Sequence, residues 1–193
     1  MIITMPNRRE FSLVTQKYLA RFDEILAEMI RGMTEAELTD SISHNFIVQM
    51  IPHHRAAIEM SENILQYTTL IPLQRIATNI VREQTKSIAD MQRALRRCSE
   101  LRNTERDLRM YQQRFRQVTQ VMFNGMRNAY TTNDINANFM REMIPHHEGA
   151  IRMSENALRF RICPALQPIL QAIITSQREG VKQMETLLKQ IRA

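Results

Sequence analysis

The chain has 193 residues, a formal net charge of +6 and a pI near 9.8. Hydrophobic residues make up 44% and charged residues 24%, which is ordinary for a globular protein and excludes a disordered chain. Only four glycines and six prolines are present, too few for the many turns of an all-β fold, so the composition predicts helices. Arg and Glu alternate along the chain without forming a localised basic patch, so nucleic acid is not an expected partner.

The sequence also bears on redox state and location. Two cysteines, Cys98 and Cys163, are too few for a disulfide framework, and we interpret them as packing residues or unpaired thiols rather than ligands. The first residues, MIITMPNRREF, lack the basic and apolar regions of a signal peptide. No stretch approaches the roughly 18 apolar residues of a membrane span. The sequence as given therefore predicts a cytoplasmic protein without a membrane segment.

One stretch of the sequence occurs twice. MIPHHRAAIEMSENIL begins at Met50, and MIPHHEGAIRMSENAL begins at Met143, 93 residues later. Between Ser41 and Gln66, 15 of 26 positions are identical to the residue 93 positions further on, and ten of the fourteen methionines recur as pairs at this offset. A duplicated unit usually places its copies about a pseudo-twofold axis, so equivalent residues can meet at a shared interface.

Each repeat is predicted to contain three helices. The first, about Asn7 to Arg31, has apolar residues three and four positions apart and should stop near Gly32. The second carries the histidine pair, with Asp40 or Ser41 as the N-cap and Pro52 within the helix as a kink.

The third helix should run from about Pro72 to Arg97, with proline in its first turn. The second repeat is predicted to form helices near Asn103 to Arg127, Asp134 to Arg159 and Ala165 to Ile191. The prediction is one all-α domain over residues 1–193, built from repeats at about 7–100 and 101–193. Its most economical fold is one antiparallel six-helix bundle with a core of four helices.

The histidine pairs share a helix face with methionines. At about 100° per residue, Met50, His53, His54 and Met60 fall within roughly 120° on the inward face. Thioether and imidazole groups form a soft, uncharged donor set that selects Cu(I), with Ag(I) as its mimic. Because both bind as neutral groups, affinity should fall only as the imidazoles protonate, at about pH 6.5 or below. The predicted metal ligands are Met50, His53, His54 and Met60 with their equivalents Met143, His146, His147 and Met153. Met91 and Met184 on the third helices are the candidates to complete the site.

Two other interpretations remain open. Methionine is a common core filler, so the protein can also be a helical interaction or scaffold protein whose histidine pairs are structural. A di-iron enzyme would need Glu-x-x-His pairs, and no Glu stands three residues before any histidine. No phosphate loop or nucleophile motif is present either, so no catalytic residue is predicted. The second repeat has Ala137 at the position equivalent to His44, so His44 is either an additional ligand of the first repeat or a cap residue.

At MIPHH followed by Ala-Ile and Met, the sequence resembles the DUF305 family of ferritin-like four-helix bundle proteins, which has copper-binding members. The match covers both repeats. The resemblance implies a bacterial copper- or silver-binding protein of metal tolerance, usually in the cell envelope, with a copper donor or acceptor protein as a possible partner. It also assigns the ten Met and His residues named above as ligands.

The sequence departs from the family pattern at two positions in each repeat. An Asp commonly stands three residues before the motif Phe, where this chain has Ser43 and Asn136. A Glu commonly follows the Gln of the third helix by three residues, where this chain has Ser87 and Gly180. Without these carboxylates the donor set suits Cu(I) better than Cu(II) or iron.

Overall fold

A computed structural model describes residues 11–98 and 100–191, which form six α-helices and, in these ranges, no strand. The helices are α1 (Leu13–Thr34), α2 (Ile42–Leu65), α3 (Ile71–Arg97), α4 (Glu105–Arg127), α5 (Ile135–Ala157) and α6 (Gln167–Gln190). The all-α prediction and the number of helices are confirmed. The predicted starts of α3 to α6 and the predicted ends of α5 and α6 differ from those in the structure by one or two residues, whereas α3 and α4 end as predicted.

Four helices form the core of the bundle. α2 contacts α3 and α5, and α6 contacts α5 and α3, so these four helices close a ring. The two remaining helices pack on its outside, α1 against α2 and α4 against α5. This arrangement places the motif helices α2 and α5 at the centre, each covered by helices of its own repeat and joined to the other. None of the helices in the described part of the chain has an apolar stretch long enough to cross a membrane.

The motif helices begin at side-chain caps. Ser41 is the N-cap of α2, as predicted, and its Oγ accepts a hydrogen bond of 3.3 Å from the His44 backbone N–H. Asp134 caps α5 in the same way by accepting hydrogen bonds from the N–H groups of Asn136 and Ala137. These bonds satisfy N–H groups that have no partner within the helix, and they set where each motif helix starts.

The predicted end of the first helix is wrong. α1 continues through Gly32 to Thr34, whereas its predicted start at Asn7 lies outside the described residues. Gly32 is needed for close packing, because a Cβ there would lie 2.8 Å from Cβ of Pro52 in α2. Gly125 has the same relation to Pro145, with a distance of 3.0 Å. Each glycine therefore brings an outer helix against the proline that precedes a histidine pair.

The interpretation of the cysteines as unpaired is also wrong. Cys98, at the C-cap of α3, forms a disulfide with Cys163 in the connection between α5 and α6. Both residues are buried. The Cys163 backbone N–H also donates a hydrogen bond of 2.9 Å to Ser43 Oγ, at the start of α2. The bundle thus brings the two cysteines together across the repeats, although they stand 65 residues apart.

Candidate metal centre

The histidine pairs lie at the middle of the bundle. His53 and His54 on α2 and His146 on α5 are fully buried, and His147 is 2% exposed. The first histidine of each pair turns toward the other central helix. The second lies against the third helix of its own repeat, beside Ser87 in α3 or Gly180 in α6.

The first histidines of the two repeats contact each other. Their rings stack with centroids 3.6 Å apart and an interplanar angle of 22°. His53 Nε2 donates a hydrogen bond of 3.2 Å to the His146 carbonyl oxygen, and His146 Nε2 donates one of 3.0 Å to the His53 carbonyl oxygen. The prediction that equivalent residues meet at a shared interface holds for this pair.

These reciprocal bonds determine the tautomer of both rings. A carbonyl oxygen can only accept, so each Nε2 carries the proton and each Nδ1 carries the lone pair. Both Nδ1 atoms are buried and have no hydrogen-bond partner. In metalloproteins a ligating histidine usually donates its other N–H to a carbonyl or carboxylate oxygen, which orients the ring. His53 and His146 have that arrangement, with an unused lone pair available to a metal ion.

The second histidines differ between the repeats. A hydrogen bond of 3.0 Å joins His54 Nε2 to Ser87 Oγ in α3. At the equivalent position α6 has Gly180, and the structure gives His147 Nε2 no hydrogen-bond partner among the described residues. The edge of the His147 ring lies close to the α6 backbone instead, since a Cβ at Gly180 would be 2.8 Å from Cδ2 and 2.9 Å from Nε2.

Burial keeps all four imidazoles neutral. It lowers the pKa of His54 from 6.5 to about 3 and that of His146 to about 4, where the hydrogen bond that the His146 ring donates to the His53 carbonyl oxygen works in the opposite direction. Burial also lowers the pKa of His53 and His147 well below 6.5, and the neighbouring imidazoles add to the effect. A neutral imidazole is the form that binds a metal ion, and here it persists well below neutral pH.

The predicted methionine ligands are buried in the same core. All six are at most 2% exposed: Met50, Met60, Met91, Met143, Met153 and Met184. Their burial is equally expected of core packing, so it does not separate the two interpretations.

The donor set fits a soft metal ion better than a hard one. Within residues 11–98 and 100–191, no three His, Cys, Asp or Glu side chains converge on a point where they could hold an ion. Buried imidazole lone pairs together with neutral thioethers suit Cu(I) or Ag(I), whereas Cu(II), iron and Mg²⁺ favour sites with more oxygen or nitrogen ligands.

The two departures from the family pattern occupy different places. Ser43 and Asn136 lie in the first turns of α2 and α5, and each bonds a loop of the opposite repeat. Ser43 accepts a hydrogen bond from the Cys163 N–H. Asn136 accepts one of 2.6 Å from Thr68 Oγ1. These positions do not adjoin the histidines, which lie about 15 Å further along each helix. Ser87 and Gly180, in contrast, adjoin the second imidazole of each repeat.

Two sets of buried polar residues were not predicted as part of a site. Glu142 is 2% exposed and accepts a hydrogen bond of 2.6 Å from the Tyr18 hydroxyl. The position equivalent to Glu142 is Gln49, and the position equivalent to Tyr18 is Tyr111. The periodicity of α5 places Glu142 on the buried face beside Met143, and this periodicity could have identified Glu142 as a buried carboxylate.

The second set is a pair of glutamines. Gln84 and Gln177 are equivalent residues of α3 and α6, and their buried Oε1 atoms have no hydrogen-bond partner. They line cavities that lie between these helices beside His54 and His147. Each stands seven residues before a predicted ligand, Met91 or Met184, and this spacing on one helix face could have identified them.

Solved structures similar to this chain have the same type of fold. The structure of CopM in an Ag-bound form, obtained by soaking, aligns with a TM-score of 0.58 and 26% identity over 79% of this chain and 98% of CopM. The crystal structure of a DUF305 fragment from Deinococcus radiodurans aligns with a TM-score of 0.57 and 21% identity over 77% of this chain and 96% of the fragment. A comparison with curated proteins gives no match.

The family assignment follows from the sequence match as well as from the fold. The family described as "Domain of unknown function (DUF305)" matches residues 43–188. This range begins in the first turn of α2 and ends in the last turn of α6, so it includes both histidine pairs and nearly all of the four-helix ring. The chain therefore belongs to the DUF305 family.

Proposed function

We propose that this protein binds Cu(I), and Ag(I) as its mimic, through the Met and His residues of α2, α3, α5 and α6. The observation that carries this proposal is the state of His53 and His146. Each donates its Nε2–H to a backbone carbonyl and keeps a buried Nδ1 lone pair without a hydrogen-bond donor. A buried acceptor without a partner costs free energy in the folded protein, and a bound metal ion would remove that cost.

The similarity to CopM supports the identity of the ion. CopM was solved with silver bound, and its alignment with this chain covers nearly its whole length. Silver(I) and copper(I) share a preference for thioether and imidazole ligands, and the core of this chain offers both. Neutral ligands also allow binding without proton release at neutral pH.

The proposed role is buffering or tolerance of the metal rather than catalysis. The sequence lacks Glu-x-x-His pairs, so a di-iron enzyme is the least supported alternative. A buffering protein must exchange its metal, and its expected partners are the ion itself and a copper donor or acceptor protein.

A structural role for the histidines is the second candidate. The reciprocal bonds between His53 and His146 hold α2 to α5 without a metal ion, and the His54–Ser87 bond likewise holds α2 to α3. A scaffold of this kind gains no stability from Cu(I). Metal-dependent stabilisation therefore separates the two candidates.

The disulfide bears on where the protein works. Cys98–Cys163 lies in the core, and disulfides persist mainly in oxidising compartments. We therefore favour the cell envelope, as the family resemblance implies, over the cytoplasm. The test is the redox state of the two cysteines in protein isolated from its native host under thiol-trapping conditions.

An anaerobic Cu(I) titration against a chromophoric chelator tests the binding proposal. The wild-type protein should withdraw Cu(I) from the chelator and bind one to a few equivalents. A variant with His53, His54, His146 and His147 all changed to Ala should not. Because four alanines in the core can prevent folding, the decisive variant is Met50→Leu combined with Met143→Leu, which conserves volume and removes two thioethers.

Matched controls keep the titration interpretable. Met110→Leu makes the same change at a side chain that is 48% exposed on α4, and His44→Ala removes a histidine bonded to the Glu37 carbonyl outside the core. Both controls should bind Cu(I) as the wild type does. Equal behaviour of the wild type and the Met50/Met143 variant, with neither competing for Cu(I), would refute the proposal and leave the structural role.

A further inference from the structure

The second histidines of the two repeats differ in how open they are. His54 Nε2 is held by Ser87 Oγ at 3.0 Å, whereas His147 Nε2 has no hydrogen-bond partner in the described part of the chain. The difference comes from one position of the third helix, which is Ser in the first repeat and Gly180 in the second. Since any Cβ at Gly180 would come within 2.9 Å of His147 Nε2, glycine leaves room for the ring edge beside the α6 backbone and supplies no side chain that could bond the nitrogen.

Each of these imidazoles adjoins a cavity between α3 and α6. The cavity beside His147 has a volume of about 570 Å³, and the one beside His54 has about 140 Å³. Gln84 and Gln177 line both cavities, and their buried Oε1 atoms have no partner. The lining of the cavity beside His147 thus combines an imidazole nitrogen and two amide oxygens that have no hydrogen-bond partner among the described residues.

The charges around the His147 cavity favour cations. Glu83 and Glu179 line it, and none of its described lining residues is Lys or Arg. Glu179 accepts a hydrogen bond of 3.0 Å from Gln183, and Glu83 forms an exposed ion pair of 3.8 Å with Arg82. An acidic cavity in a protein of net charge +6 raises the local concentration of cations.

The cavity beside His54 has a different charge. The first-repeat equivalent of Glu179 is Lys86, which lines this cavity and forms an ion pair of 2.6 Å with Asp90. Glu83 and Asp90 line it as well, so this cavity is less acidic than the one beside His147 but not basic. The two repeats therefore differ at two successive positions, Lys86-Ser87 against Glu179-Gly180. Both differences make the second repeat more accessible to a cation.

We propose that the cavity between α3 and α6 at His147 is the route by which the metal ion enters and leaves the bundle, with His147 as its first imidazole ligand. The inference rests on the proposed Cu(I) function and adds a direction of exchange to it. His54, bonded to Ser87 beside a lysine, lies on the closed side. If the metal ion exchanges through this side, substitutions of Glu179 and Gly180 should alter the rates of metal uptake and release more than the equilibrium affinity for the metal.

Chemical labelling tests the openness of His147 without metal. Diethylpyrocarbonate modifies an accessible, unprotonated imidazole nitrogen, and peptide mass spectrometry assigns the modified residue. In the metal-free wild type at neutral pH, His147 should react at least about 10-fold faster than His54, and Ser87→Gly should reduce that difference. Equal labelling of His147 and His54 in the folded wild type would overturn the inference.

Stopped-flow transfer of Cu(I) between the protein and a chelator tests the route. Glu179→Lys should slow uptake by about 10-fold, with a smaller effect at high salt, while the equilibrium affinity changes much less. Glu185→Lys makes the same change at an exposed residue of α6 outside the cavity lining and should leave the rate unchanged. Gly180→Ser should slow both uptake and release.

The outcomes separate the two proposals. A wild-type protein that binds no Cu(I) refutes the proposed function and the route together. A protein that binds Cu(I) with the expected affinity, but exchanges it at the same rate in the wild type, Glu179→Lys and Gly180→Ser, refutes the route alone.

Discussion

Acidification should destabilise the metal-free protein through its buried histidines. In the unfolded chain an imidazole titrates near 6.5, whereas burial lowers the pKa of His54 to about 3 and that of His146 to about 4. About one pH unit above 6.5 and higher, these residues are neutral in both states and contribute little pH dependence. As the pH falls below 6.5, the unfolded chain binds protons that the folded chain cannot, so stability declines until the folded pKa values are reached.

The size of the effect follows from the linkage relation. Each such histidine contributes about 1.4 kcal/mol of lost stability per pH unit, so His54 and His146 together cost about 4 kcal/mol between pH 6.5 and 5. His53 and His147 shift in the same direction and add to this loss. A typical domain is stable by only about 5–15 kcal/mol, so the metal-free protein should be close to unfolding at pH 5.

Urea denaturation followed by circular dichroism at several pH values between 5 and 7.5 measures this effect. The free energy of unfolding should level off toward pH 7.5 and fall steeply below pH 6.5. His54→Gln removes one titrating group and should reduce the slope by about 1.4 kcal/mol per pH unit. A free energy of unfolding that stays constant from pH 7.5 to 5 would show that the imidazoles titrate equally in both states, which refutes their desolvation in the core.

Three further predictions concern stability. Tyr18→Phe removes the hydrogen bond to buried Glu142 and should lower the free energy of unfolding by about 1–3 kcal/mol. Tyr111→Phe removes a hydroxyl without a partner and should leave the free energy of unfolding unchanged. Equal losses of stability for the two variants in urea denaturation would contradict this reasoning. Replacing both Cys98 and Cys163 by Ser should cost about 4 kcal/mol, because the disulfide closes a loop over a separation of 65 residues, and thermal unfolding with and without reductant measures it. Free Ag(I) at about 100 times its dissociation constant should add about 2.7 kcal/mol of stability at neutral pH, and no shift in thermal unfolding would favour the structural role.

Hydrophobic periodicity predicted the helices well because each helix buries one face. The stripe of apolar residues on α1 and its counterparts on α3 and α6 face the motif helices, and the predicted elements recur in the structure. The end of α1 could not be predicted, because Gly32 there serves a contact with Pro52 of another helix rather than a helix stop. Local patterns of residues carry no information on such an approach.

The disulfide was missed for a related reason. Cys98 and Cys163 do not stand at equivalent positions of the two repeats, and their spacing matches no known motif. Their contact arises only when the connection between α5 and α6 packs across the start of α2, through Ser43. Pairings of this kind depend on the topology of the bundle and cannot be derived from the spacing of the cysteines.

The histidine pairs were predicted to be buried, and they are, but treating the two repeats as equivalent hid their main difference. The same motif produces reciprocal bonds where both repeats contribute the same residues, as in His53 and His146. It produces unlike surroundings where the neighbouring helix has diverged, as at Ser87 and Gly180. Identity within a motif therefore predicts its burial, whereas its chemistry also depends on residues that the motif does not contain.

This divergence has a functional consequence if the bundle exchanges metal. A closed core of neutral thioethers and imidazoles can hold a soft ion tightly, yet a buffer must also release it, and opening a whole helix is costly. Replacing one side chain by hydrogen, at Gly180, leaves an imidazole nitrogen without a side-chain partner beside the cavity and does not disturb the helices that hold it. Ser87 keeps the equivalent nitrogen bonded on the other side. A duplicated bundle can thus keep one repeat closed for stability while the other provides access, which a single symmetric pair of sites would not allow.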